Sequence, residues 1–346
     1  MKKLYNKGLM YQFFYVSKWA ILLGTLFFSL VAYSVNNGLF IYFSNTISDF
    51  NGNIFLKPNI LILILLCGII FLAFIVTTGI NKRVTATFLA SGPYTKKEIK
   101  KNQIIYLFTV FLLLIIDYIY ISMCVLFKNR ALMPLIEGYW SSFFYTLVVL
   151  ILVGLIFIGY LLFMDMLFSN TFVLIGLIIA TPILIVNLLF TTLRLLSLYF
   201  KEVRVTFVDS VFNTLSSFLD FMTLSRYTEI YAKDYIISIG ISVLIILIVY
   251  ALTWIINSKI TINMMNKFVA FPLVEKVTIS FITFNILFGR FSQIAFGIYY
   301  KSQHGISSAL SITEKCLILG LGTIVVSLIT FIAQKLIRKV INKLIL

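Results

Sequence analysis

Catalytic equipment is scarce in this sequence. One histidine, three cysteines and twelve acidic residues serve 346 positions. His304 stands without a second histidine or a cluster of cysteines or carboxylates, so a catalytic metal site is not expected. No G-x-x-x-x-G-K-[ST] phosphate loop, G-x-S-x-G elbow or H-E-x-x-H helix occurs. The chain is therefore read as a non-enzyme with no catalytic residue and no cofactor of its own. Cys67, Cys124 and Cys316 fall within or at the edge of apolar stretches at no paired or metal-like spacing. A buried free thiol is expected at each, with no disulfide framework.

Charge is scarce too. Charged residues make up 12% of the chain and apolar ones 61%, with a mean hydropathy of +1.06; a soluble domain has about 25% and about 45–50%. The formal charge of +16 would point to nucleic acid in a soluble protein, but here the basic residues sit mostly between apolar blocks. Their partner is then a lipid bilayer and not nucleic acid.

What the sequence has in abundance is long apolar runs. A transmembrane helix needs about 20 mostly apolar residues, because its backbone must satisfy itself within the hydrocarbon. Eight runs meet this, approximately 19–43, 59–80, 104–127, 141–167, 172–192, 235–256, 277–299 and 316–333. The expected fold is all-α, a polytopic bundle of about eight spans. Lys2 and Lys3 start the chain like a signal peptide, but the first apolar run begins only at Trp19 and lacks a convincing cleavage site, so it is read as a retained helix.

An even number of spans puts both ends on one side. The loops of that side hold 17 Lys or Arg against Glu98 and Glu275, whereas the opposite loops hold 10 against 8 acids. The positive-inside bias places both termini in the cytoplasm of a cell-membrane protein. Trp19, Trp140 and Trp254 fall at span ends, where an amphipathic ring belongs.

Three stretches outside the spans read as structured. Residues 1–18 are basic and aromatic, which suits a helix in the inner interface. In the longest external loop, residues 207–222 carry Val208, Val211, Phe212, Leu215, Phe218, Leu219 and Met222 at helical spacing, so an amphipathic helix there either dips into the outer leaflet or packs on neighbouring helices. The cytoplasmic loop 81–103 contains Gly92-Pro93, which ends one helix, followed by Thr95 and Glu98 in the T-x-x-E spacing of a capping box that starts another. A short, capped, basic helix is expected between spans two and three. An ordinary basic loop that only sets topology would share its composition.

Within the spans, ionisable residues are the other candidates. Asp117 lies in mid-span three, Asp165 near the inner end of span four, and Arg290 in span seven beside Gly289. Such groups face a bundle interior or cavity and find partners. Asp117 and Arg290 are a candidate pair, either for substrate handling or as an interhelical lock, while Asp165 is read as an interface residue that reaches water. Pro182 frees a carbonyl in span five and permits a kink, static or hinged.

The interfacial amino-terminal helix, the amphipathic external structure before span six and the loop carrying Pro93, Thr95, Lys96, Lys97, Glu98 and Ile99 together resemble an ABC-2 type permease of low-GC Gram-positive bacteria. In that family a loop close to Leu-Pro-x-[Ser/Thr]-[Arg/Lys]-x-Glu-[Ile/Leu] forms the coupling helix. Pro93, Thr95, Lys96, Glu98 and Ile99 match it, while Ser91-Gly92 replaces the usual apolar residue before proline. Residues 263–271 resemble a juxtamembrane stretch of longer permeases. The likeness covers 1–256 by layout, implying a six-span core of type V exporter kind over 19–256. Residues 257–346 then add a linker, two further spans and a basic tail.

The resemblance implies an ABC ATPase partner that binds ATP and magnesium, and a second permease chain, identical or a sibling. The implied function is export of an amphipathic or hydrophobic substrate such as a peptide, lipid or antimicrobial compound. Two other functions fit the composition. One is an ion-coupled secondary transporter using Asp117 and Asp165, although no internal repeat is evident. The other is a non-transporting scaffold or sensor subunit.

Overall fold

The computed structural model describes residues 6–46, 60–78, 94–132, 139–168, 170–199, 217–218, 232–259, 272–304 and 312–345. These are helical almost throughout: α1 (Lys7–Thr46), α2 (Ile60–Thr78), α3 (Lys96–Lys128), α4 (Tyr139–Leu167), α5 (Thr171–Tyr199), α6 (Ala232–Lys259), α7 (Pro272–His304) and α8 (Ile312–Ile345). Among the described residues, eight helices are long and apolar enough to cross a membrane. The chain is a multi-pass helical membrane protein. Each apolar run of the sequence becomes one helix, because a run of that length has no other way to satisfy its backbone in lipid. Pro182 lies inside α5, which continues past it.

Two helices depart from expectation. α1 is continuous for 40 residues, so the segment expected as a separate interfacial helix ending at 18 runs straight into the first span. Likewise α3 is a single helix of 33 residues, and the capped segment expected as a short helix is its first turns. At 1.5 Å per residue they measure about 60 and about 50 Å, against a hydrocarbon core of about 30 Å. The extra length of α3 is basic and polar, and that of α1 basic and aromatic, compositions suited to the interface and to the water beyond it.

Packing divides the helices into two units. Unit 1 comprises Met1–Thr171 and Thr214–Thr261 and contains α1 to α4 with α6. In it α1 and α3 run parallel, with contacts that advance together from Asn6 and Asn102 to Asn37 and Asn129. α4 runs antiparallel to α3: Tyr118 stacks on Phe143 with centroids 6.1 Å apart, and Phe111 lies against Gly154. α6 runs parallel to α4, with Tyr145 against Tyr235 at 5.6 Å and Tyr250 Oη donating to Leu155 O at 3.3 Å. Glycine makes these approaches possible. A Cβ at Gly159 would fall 3.0 Å from the Tyr250 ring, and one at Gly154 would collide with Phe111.

Unit 2 comprises Phe172–Asn213 and Ile262–Leu346, and so joins α5 to the α7–α8 hairpin. Its core is Leu195, Phe288, Ala295 and Val326. α5 joins this core through Leu195 and the partly buried Leu188. The cysteines are free, but Cys124 and Cys316 are exposed and Cys67 is partly so, contrary to the expected burial. A helix surface that faces lipid accommodates an apolar thiol without protein cover.

Candidate functional site

The amino-terminal ends of α1 and α3 lie side by side in unit 1. Thr95 is the N-cap of α3, in extended conformation at φ −78° and ψ 150°. The Glu98 N–H donates to Thr95 Oγ1 at 3.3 Å, and the Thr95 N–H donates to Glu98 Oε2 at 2.8 Å. The Thr95 hydroxyl donates to the same carboxylate oxygen at 2.9 Å. This is the reciprocal capping box that the T-x-x-E spacing predicts. Glu98 is exposed and Ile99 half-buried. Lys96 and Lys97 occupy the first turn of the helix, and Pro93 lies outside the described residues, as do 263–271 and all of 207–222 except the helical pair 217–218.

α1 is capped beside it. Asn6 Oδ1 accepts from the Gly8 N–H at 3.0 Å, and the Asn6 N–H donates to Asn102 Oδ1 of α3 at 2.9 Å. Asn102 Nδ2 in turn donates to Glu98 O at 2.8 Å. One amide thus ties the first turn of α3 to the start of α1. Gly8 lies close to Tyr94, whose Oη would stand 2.9 Å from a Cβ added there.

From this end a series of polar contacts follows the two helices. Tyr106 Oη donates to Ser17 Oγ at 2.6 Å, and the Ser17 hydroxyl donates to Phe13 O at 2.7 Å. Ser29 Oγ is 2.7 Å from Asp117 Oδ2, Asn36 Nδ2 donates to Ser122 Oγ at 3.0 Å, and Lys128 Nζ donates to Tyr33 Oη at 2.7 Å. Leu9 and Phe13 are buried between these contacts and the Tyr106 ring packs on Phe13 and Phe14. The outward face of the same segment carries Tyr11, Tyr15 and Trp19, all exposed, with Lys18 Nζ over the Tyr15 ring at 4.4 Å. Each interhelical hydrogen bond in a membrane contributes about 0.6 kcal/mol on average. Spread along the series, they fasten α1 to α3 over their common length.

A buried ion pair joins this pair to α4. Lys100 Nζ, one turn beyond the capping box, meets Asp165 Oδ2 and also donates to Gln103 Oε1 at 2.9 Å. Asp165 is 2% exposed and Lys100 8%. The expectation that Asp165 reaches water is thus corrected. α3 extends far enough past the span to lay a lysine against it, and a paired carboxylate tolerates burial that a lone one does not. Lys100 had counted only as a topology charge.

Asp117 is half-buried and has Ser29 as its neighbour, whose single proton is shared between the carboxylate and Thr25 O at 2.8 Å. Arg290 lies on an exposed face of α7 and belongs to unit 2, so the two expected partners fall in separate units. Among the described residues no three His, Cys, Asp or Glu side chains gather as a metal site. Asn6, Gly8, Lys100, Asn102 and Tyr106 were missed by sequence reasoning. A legible signal was there: Ser17, Thr25, Ser29 and Asn36 recur at helical spacing in α1. Comparisons with known protein families, curated proteins and solved structures find no match.

Proposed function

We propose that this chain is the membrane-spanning permease subunit of an ATP-binding-cassette exporter in the cell membrane, with both termini cytoplasmic. In this reading a separate ATPase subunit docks on the paired ends of α1 and α3, and a second permease chain completes the transporter. The chain itself hydrolyses nothing. The observation that carries the reading is the capping box on an exposed helix end that is held to α1 along its length and to α4 by Lys100 and Asp165. Work done by an ATPase at Tyr94, Thr95 and Glu98 is delivered to the spans only if the helix does not fray or slide. A box that satisfies the first amides resists fraying, and the interhelical contacts resist sliding.

The ATPase closes on ATP, displaces the α1–α3 pair, and Lys100 draws α4 with it; the substrate is an amphipathic or hydrophobic molecule admitted between permease halves. The test is the double variant Thr95→Ala/Glu98→Gln in the reconstituted complex. Loss of the cap costs about 0.5–2 kcal/mol, so permease-stimulated ATP hydrolysis should fall by about 2- to 30-fold with insertion unchanged. Unaltered stimulation, or purification of the native protein without any chain bearing a phosphate loop, contradicts the proposal.

A further inference from the structure

The α7–α8 hairpin of unit 2 has a groove that plays no part in this scheme. The two helices are antiparallel: Phe291 lies against Gly322, and Gln334 Nε2 donates to Lys276 O at 3.3 Å. Between them opens a groove of about 440 Å³, within the range of about 300–1,000 Å³ typical of small-molecule sites. It is graded along its length. Lys276 and Gln334 form its mouth, Ser280 and Thr330 follow, and Phe281 and Phe284 line the far end. Residues 276 to 284 span about 12 Å of helix. The walls are drier than their composition implies. Thr330 Oγ1 donates to Val326 O at 2.7 Å and Ser327 Oγ to Thr323 O at 2.8 Å, so both hydroxyl protons are spent within α8.

The mouth is cationic. Lys276 is exposed there, and Arg338, one turn beyond Gln334 on α8, stands beside Glu275, the neighbour of Lys276. Arg338 Nε stands 4.0 Å from Glu275 Oε1, and neither buried atom makes a hydrogen bond. At that distance the pair leaves a guanidinium donor unspent.

We infer that this groove seats one anionic phospholipid, its phosphate at Lys276 and Arg338 and one acyl chain along Val277, Phe281 and Phe284. A basic mouth above a dry trough, at one end of two membrane-spanning helices, complements an amphiphile with a negative head. A zwitterionic lipid offers the same chain but no net charge to match. A second copy of the hairpin would bring its own lysines against these.

The purified full-length protein, reconstituted in nanodiscs of equimolar phosphatidylglycerol and phosphatidylcholine, is released gently and its bound lipid identified by native mass spectrometry. One phosphatidylglycerol should remain bound in preference to phosphatidylcholine. The surface variant Lys276→Gln should lower that preference by about fivefold, and Ser280→Trp, which fills the trough, should lose retention of both lipids. Inorganic phosphate should not displace the lipid. Equal retention of the two lipids by the wild type, an unchanged preference in the charge variant, or displacement by phosphate alone would overturn the inference. So would loss of a dimer in Ser280→Trp with lipid still bound.

Discussion

Replacing Asp165 with leucine strands Lys100. The Asp165 side chain is fully buried and that of Lys100 is 10% exposed, so the ammonium would keep Gln103 Oε1 at 2.9 Å as a neutral acceptor but lose its counter-charge. Breaking a buried pair from one side costs about 3–5 kcal/mol, whereas an exposed pair contributes about 0.2–1 kcal/mol. The double variant Lys100→Met/Asp165→Leu removes both charges and keeps the volume, so it should lie nearer the wild type than either single change. Unfolding of the purified protein in mixed micelles, followed by circular dichroism, measures all four corners of this cycle. Hydrogen exchange over residues 96–103 adds a local readout, since α3 should open there first. Single variants that each cost under about 1 kcal/mol and combine additively would refute the pairing.

Other changes test the packing and the chemistry around it. Gly154→Ala drives a methyl group into the Phe111 ring and should destabilise by about 1–3 kcal/mol, with Phe111→Leu restoring much of the loss in the same unfolding assay. Ser17→Ala leaves the buried Tyr106 hydroxyl without its acceptor at a cost of about 1–3 kcal/mol, while Tyr106→Phe removes the donor and should cost only about 0.5–1.5 kcal/mol; the reverse order would show that the contact is not made. Asp117→Asn retains a partner for Ser29 and should leave ATP-driven flux into vesicles intact, whereas flux that survives without ATP and stops in this variant belongs to an ion-driven carrier.

The spans were legible because length and apolarity alone dictate a helix in lipid, and the capping box because its four residues are local. Helix continuity was not. Nothing around Lys18 or Gln103 marks a stop, yet a polar segment at a membrane edge reads as a boundary when only hydropathy is considered. Pairings between helices were less legible still. Lys100 meets Asp165 across 65 positions, and only the rotation of α3 and α4 about their axes decides that these two side chains face one another. The grouping of α5 with α7 and α8 has the same origin, since Leu188 and Leu195 stand in a segment that also holds Thr191, Thr192 and Arg194, and only packing shows what the two leucines cover. Gly154 looked like any small residue until Phe111 was seen against it.

Site-specific photo-crosslinking measures the central claim most directly. A photoreactive residue is placed at position 98, on the exposed first turn of α3, and a second at Asn129, beyond the far end of the same helix. In membranes from cells producing the protein, position 98 should form an adduct with a chain that binds ATP and carries a phosphate loop, and position 129 should not. An ATP-binding adduct from position 129, or none from position 98 while transport continues, would contradict the account.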